Sequence, residues 1–155
     1  MSAFAIQLAT LSPGWHRVGL ECEAAELGLP QPEWPGRVRG AFEVEKNGDQ
    51  VSVRGRLEAV TVLECVRCLR VFQRSLGAPF EVFAERASSA RRSEEEALER
   101  DDYMMFHDGR VLDLGEEARD TLLLELPMTP CCRDDCRGLC PVCGVDRNEE
   151  TCAHG

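Results

Sequence analysis

Nine cysteines at uneven spacing constrain this chain more than any other feature. Six of them fall into two clusters, Cys65-Val66-Arg67-Cys68 and the run Cys132-x3-Cys136-x3-Cys140-Pro141-Val142-Cys143-Gly144, with Cys152 and His154 just beyond. Disulfides need an oxidising compartment. The first basic residue is Arg17, and Gln7 interrupts the apolar stretch from Ala3 to Leu8, so the start does not read as a secretory signal. No apolar run approaches the roughly 18 residues of a membrane span. The expectation is therefore a cytoplasmic protein with reduced thiols, in which closely spaced cysteines mean metal or redox chemistry.

A two-residue gap lets both sulfurs of a hairpin tip turn toward one ion, the knuckle geometry of structural zinc sites. In Cys140-Pro-Val-Cys-Gly, Pro141 fixes φ after the first ligand and Gly144 permits the positive φ that aims backbone amides back at sulfur. A thioredoxin-like redox pair would need a helix after Cys65-Cys68, and strand-like residues follow instead. Zinc, one or two structural ions, is thus the expected cofactor. One division of ligands sets Cys65, Cys68, Cys132 and Cys136 at one site and Cys140, Cys143, Cys152 and His154 at another. The alternative is a single site of Cys132, Cys136, Cys140 and Cys143. Either way a full tetrahedral set leaves no open position for catalysis. Cys22 continues an apolar strand face and reads as a core thiol, and Cys131 reads as spare. His16 and His107 have no partner motif, and Trp15 and Trp34 read as core or loop anchors.

The rest of the 155 residues read as one α+β domain: a strand-rich core with a long antiparallel hairpin, one C-terminal helix and a zinc-bound cysteine-rich tail. The division is a core over 1–130 and a tail over 131–155 packed on it. Phe4, Ile6 and Leu8 alternate with small or polar residues, as do Val18, Leu20 and Cys22. Pro30, Pro32 and Pro35 make 28–36 a loop. Asn47-Gly48 predicts a type I′ hairpin turn. Val51, Val53, Leu57, Ala59, Thr61 and Leu63 share one strand face, with a bulge expected at Gly55. A further strand over 69–83 is expected to break at Gly77-Ala78-Pro79. From Glu94 to Asp102 six acids face one base, so 87–102 reads as a solvated acidic loop or a short frayed helix. Val111 to Leu114 reads as a short strand. Asp113 and Glu116 resemble a capping box opening a helix over 114–126, with Leu114, Ala118, Leu122 and Leu126 as its buried stripe and Pro127 as its stop.

The net charge of −10 argues against a generic nucleic-acid binder. Of 18 basic residues all but Lys46 are arginine, which suits forked contacts to phosphate or carboxylate. Between Val51 and Phe80 five arginines meet two glutamates, the one basic patch of note. Arg67, Arg70, Arg74, Arg133 and Arg137 lie around the cysteine clusters and are the candidate RNA or partner contacts. No catalytic residue is assigned: the sequence holds no phosphate loop, no Gly-x-Ser-x-Gly elbow and no His-Glu-x2-His. The expectation is a chain that is not an enzyme and has neither a membrane nor a small-molecule substrate as partner.

Three segments carry a resemblance. They are Leu63-Glu64-Cys65-Val66-Arg67-Cys68-Leu69 with Phe72; Gly109-Arg110-Val111-Leu112-Asp113-Leu114 leading into Leu122-Leu123-Leu124-Glu125-Leu126-Pro127-Met128 and Pro130; and Cys136-Arg137-Gly138-Leu139-Cys140-Pro141-Val142-Cys143-Gly144 with Asn148. Together they resemble the YceD family, the large ribosomal RNA subunit accumulation proteins, along residues 40–152. The resemblance implies a small bacterial cytoplasmic factor for ribosome biogenesis. Its partners would be large-subunit ribosomal RNA, its precursor particle, or a ribosomal or assembly protein. Arg147 stands where the family has an apolar residue, and His154 where a final cysteine is common.

Overall fold

A computed structural model describes residues 4–86 and 105–154. The acidic run expected as a loop over 87–102 lies outside the described residues.

Among the described residues, alternating apolar residues build seven strands: β1 (Ala5–Gln7), β2 (Gly14–Glu23), β3 (Arg37–Asn47), β4 (Gln50–Glu64), β5 (Val71–Arg86), β6 (Met105–His107) and β7 (Val111–Asp113). They form a five-stranded sheet in the order β2-β3-β4-β5-β6 and a two-stranded sheet of β1 and β7. All pairings are antiparallel except β5 with β6. One α-helix among the described residues, α1 (Gly115–Leu124), lies against β4 and β5. The fold is strand-rich and mainly antiparallel, as the α+β reading expects.

The core lies on one face of the large sheet. Val51, Val53, Leu57, Ala59 and Thr61 are all buried along β4, the face that the odd-position pattern predicts. Phe42 sits between Phe4 and Phe80, with ring centroids 5.8 and 5.3 Å away. Leu112, Leu114, Ala118 and Leu122 close the core from the β7–α1 side. Cys22 is a buried core thiol and Trp34 a buried loop anchor, whereas Trp15 is largely exposed.

Four local expectations need correction. The β3–β4 turn is one residue later than Asn47-Gly48: Asn47 pairs with Gln50, so Gly48 and Asp49 form the tip. Only Gly48 there has positive φ, which fits a II′ rather than an I′ pattern. Gly55 is not a bulge, because β4 keeps register with both neighbours through it. A Cβ there would stand 2.0 Å from the Ala41 carbonyl oxygen, so the glycine permits close strand approach. β5 does not break at Gly77-Ala78-Pro79; it pairs continuously from Val71 to Glu85 with β4. Pro79 is tolerated because β6 joins β5 only at Ala84–Arg86, leaving the preceding edge without a strand partner among the described residues. The capping box does not form. Asp113 still pairs with Ala5 in β7, and its Oδ1 accepts the Gly115 amide at 2.9 Å.

Long β4 and β5 make the hairpin that positions the site. Their last pair is Glu64 with Val71, so residues 65–70 project from the end of the sheet as its tip.

Candidate metal centre

The tip folds as a knuckle because of two backbone hydrogen bonds. Leu69 N–H donates to the Cys65 carbonyl at 2.9 Å, and Cys65 N–H to the Arg70 carbonyl at 2.8 Å. Leu69 carries a left-handed φ of 63°, unusual for a branched residue. The tail repeats the same device. Gly144 N–H donates to the Cys140 carbonyl at 2.9 Å, Cys140 N–H to the Val145 carbonyl at 2.8 Å, and Gly144 has φ 78°. The chain thus carries two equivalent knuckles, 65–70 and 140–145, with a residue of positive φ after the second cysteine of each.

The tail wraps the first knuckle through backbone contacts. Val66 N–H donates to the Pro130 carbonyl at 2.9 Å and Leu139 N–H to the Arg67 carbonyl at 3.0 Å. Gly138 makes the second contact possible. Its φ is 77°, and a Cβ would lie 3.0 Å from the Arg67 oxygen.

This wrapping assembles two groups that could hold a metal ion. Cys65, Cys68, Cys132 and Cys136 form one; Cys140, Cys143, Cys152 and His154 form the other. Within each, the ligand atoms all lie within 4.8 Å of one another. Cys132 and Cys136 therefore stand apart from Cys140 and Cys143, unlike the single-site arrangement. All nine cysteines are free thiols. In the first quartet, Cys65 and Cys136 sulfurs are 3.7 Å apart, as are those of Cys68 and Cys132. A tetrahedral ion bound at about 2.3 Å to each thiolate would space its sulfurs about 3.8 Å apart. The donor set and its spacing fit such an ion. Cys65, Cys68 and Cys136 are buried, while Cys143 and His154 of the second group are exposed.

Backbone amides tune these thiols. The Cys68 amide, helped by those of Cys132 and Arg67, holds Cys65 down at about 6 against burial. The Cys143 and Val142 amides hold Cys140 at about 6 in the same way. Their neighbours move oppositely. Burial, then the Cys68, Cys136 and Cys65 sulfurs, push Cys132 up to about 12. Cys68 and Cys143 receive the Arg70 and Val145 amides, yet burial and adjacent sulfurs raise both. One thiolate per knuckle, Cys65 or Cys140, is favoured, and Cys68, Cys132 and Cys143 resist ionising beside it. A cation removes that conflict, because a coordinating thiol is deprotonated by the ion's own charge.

The five candidate contact arginines are placed unequally. Arg67 Nη1 donates to the Asp134 and Cys136 carbonyls at 3.3 and 3.1 Å. Arg74 Nη2 donates to the Cys131 carbonyl at 2.8 Å and lies over the Phe72 ring. Arg70 pairs with Glu149. These three hold the tail. Arg133 lies 3.4 Å from Asp135. The exposed Arg137 guanidinium has no partner among the described residues. Cys131 stays outside both groups, its sulfur directed at the Thr129 carbonyl. His16 is half-buried and His107 buried, both bonded to backbone carbonyls.

Asn148 is the residue that spacing did not single out. Its Nδ2 donates to the Cys136 sulfur at 3.3 Å. Asn148 stands in the third resemblance segment, but its contact with Cys136, twelve positions away, emerges only in the folded geometry.

An uncharacterised protein of Mycobacterium leprae is 34% identical over 141 residues, covering 90% of this chain and 59% of its own length. One from Mycobacterium tuberculosis is 38% identical over 130 residues, covering 83% of this chain and 57% of its own. The chain thus spans under three fifths of the length of these relatives. No solved structure matches it. No helix among the described residues is long and apolar enough to cross a membrane. The family model described as large ribosomal RNA subunit accumulation protein YceD matches residues 53–155, from β4 through both cysteine groups, and this chain belongs to that family.

Proposed function

We propose that this chain is a non-catalytic cytoplasmic factor that promotes accumulation, processing or assembly of large-subunit ribosomal RNA, with structural zinc in both cysteine groups. The family match over 53–155 carries the reading, because it spans the two groups and the hairpin that presents them. All-thiolate and three-thiolate-plus-histidine sets suit zinc and leave no open coordination position. Cys65, Cys68, Cys132 and Cys136 would hold one ion, and Cys140, Cys143, Cys152 and His154 the other. Bound zinc supplies folding energy there, not a reacting group. The knuckle tip and tail then present one rigid surface from which Arg133 and Arg137 extend toward phosphate or acidic protein groups.

Sedimentation of the native protein from a bacterial lysate at low salt, with and without RNase, tests the reading. Comigration with large-subunit precursors, lost after RNase, is the expected result. A protein remaining at the top of both gradients sinks stable particle association.

A second reading is an adaptor that binds a protein and never touches RNA. It is favoured by the net charge of −10 and by the engagement of Arg67, Arg70 and Arg74 with the tail. Phosphate contacts weaken steeply as salt rises. Binding that survives both RNase and high salt would select this reading.

A further inference from the structure

Asn148 belongs to the arc 144–151, which joins Cys143 to Cys152, both members of the second cysteine group. Its side chain nevertheless reaches the first group. Nδ2 lies 3.3 Å from Cys136 Sγ and 2.9 Å from Asp146 Oδ1, while Oδ1 accepts the Arg137 amide at 2.8 Å. Two acceptors face Nδ2 and one donor faces Oδ1, so the contacts fix which way the amide points. Asp146 Oδ1 also accepts the Asn148 N–H at 2.9 Å, and the Asp146 carbonyl accepts the Glu149 and Glu150 amides. Asp146 bridges to Leu139, whose own amide rests on Arg67 of the first knuckle. Asn148 is thus held rigidly by the arc and delivers one N–H to a ligand of the other site.

A four-thiolate site carries net charge of about −2 with its ion, so donors to its sulfurs stabilise the bound state. The arc's shape depends on its anchors. With Cys143 and Cys152 bound to one ion the arc is closed; without it the arc has no buried side chain and keeps only polar ties, the Leu139–Asp146 bridge, the Arg147 N–H to the Gly138 carbonyl and the Arg70–Glu149 pair.

We propose that Asn148 is a positioning residue that couples the two cysteine groups, so that metal in the second raises the affinity of the first. This rests on the reading that both groups bind metal. Linkage makes the effect reciprocal: metal in the first group raises the affinity of the second by the same factor. Loss of an outer hydrogen-bond partner typically weakens a metal site about 10- to 100-fold, and that is the coupling expected here.

Cobalt(II) titration of the full chain tests this, because four-thiolate and three-thiolate-one-nitrogen sites differ in their visible bands. Asn148→Ala should weaken cobalt binding at the first group by about 10- to 100-fold. Asn148→Asp keeps the acceptor for the Arg137 amide but loses the donor to Cys136, and should weaken it at least as much. Cys143→Ser should weaken the first group by a similar factor in the wild-type background and add little in the Asn148→Ala background. A merely structural role would leave the effect of Cys143→Ser on the first group unchanged in the Asn148→Ala background. The proposal is overturned if Asn148→Asp binds cobalt at the first group as tightly as wild type, or if the Cys143→Ser and Asn148→Ala effects simply add. Failure of the wild-type chain to bind cobalt at either group would remove the metal reading itself, a distinct outcome. Trp34 fluorescence checks that the strand core of each variant is intact.

Discussion

Substituting Gly138 by alanine tests whether the tail presses on the first knuckle as the structure has it. Two terms set the magnitude. Placing an L-residue at φ 77° destabilises by about 1–2 kcal/mol. The added Cβ would also stand 3.0 Å from the Arg67 carbonyl oxygen, a backbone atom that cannot swing aside as a side chain can. That oxygen accepts the Leu139 amide at 3.0 Å, a bond worth about 1 kcal/mol net. The sum is about 2–3 kcal/mol, or roughly 30- to 150-fold. Gly144→Ala is the control: its φ is nearly the same, 78°, but nothing lies within 4 Å of the new Cβ. It should lose only the dihedral term. The assay is native-state hydrogen exchange of the Leu139 amide in zinc-loaded protein, which reads local opening directly. Gly138→Ala should exchange about fivefold faster than Gly144→Ala, the difference worth about 1 kcal/mol. Equal rates in the two variants would refute the contact between Gly138 and the knuckle.

Three further outcomes follow from the same geometry. Leu57→Ala removes a fully buried β4 side chain and should destabilise the core by about 2–5 kcal/mol; an unchanged urea midpoint by Trp34 fluorescence would contradict the burial. Asp108 accepts the Val111 and Arg110 amides, which lower its pKa below the ordinary 3.8. Its folded value is depressed, so its stabilising effect is present above that ordinary value and is lost as pH falls through the folded one. An NMR titration placing Asp108 at or above 3.8 would show that the turn before β7 is not held this way. Chelation of zinc should loosen the backbone around the already exposed Arg133 and Arg137 so that trypsin cleaves there while β2–β5 stay protected, and a tail that remained resistant would show that metal does not hold it.

What the sequence made legible was whatever depends on local period or on ligand type. Alternation along β4 gives its buried face, since neighbouring side chains must point oppositely whatever lies beside them. Cysteine spacing picks out the knuckles, because two residues is the loop that turns both sulfurs one way. What stayed hidden depends on partners distant in the chain. Gly55 reads as a bulge from its own strand; only with Phe42 and the Ala41 carbonyl across from it does close approach become the reason. Gly77 reads as a break, yet it gives space to the Arg56 guanidinium, which would lie 2.2 Å from a Cβ there. Asp113 has the spacing of a helix cap, but pairing with Ala5 keeps it in a strand and moves the helix start onward. Arg67, Arg70 and Arg74 read as a free basic patch. Their acceptors are tail groups more than fifty residues away, a pairing that no local pattern contains.

The same contrast explains why, on the proposed reading, the tail would need ions where the core does not. Between residues 125 and 154 only Cys136, Gly138 and Cys140 are buried. None is a large apolar side chain, so little surface leaves water there. Ordering the backbone costs about 1–2 kcal/mol per residue, and hydrogen bonds each return only about 1 kcal/mol net. Packing cannot balance that over a segment of this length. The strand core, by contrast, buries Phe4, Phe42, Phe80, Trp34 and a full set of leucines and valines. A structural zinc contributes about 10–16 kcal/mol of apparent binding energy, and in the first group it would tie hairpin to tail, segments more than sixty residues apart. Without the ion, the arginine clamps and Gly138 contact have nothing rigid to close on. With it, a short polar segment would become a fixed surface at the end of the sheet.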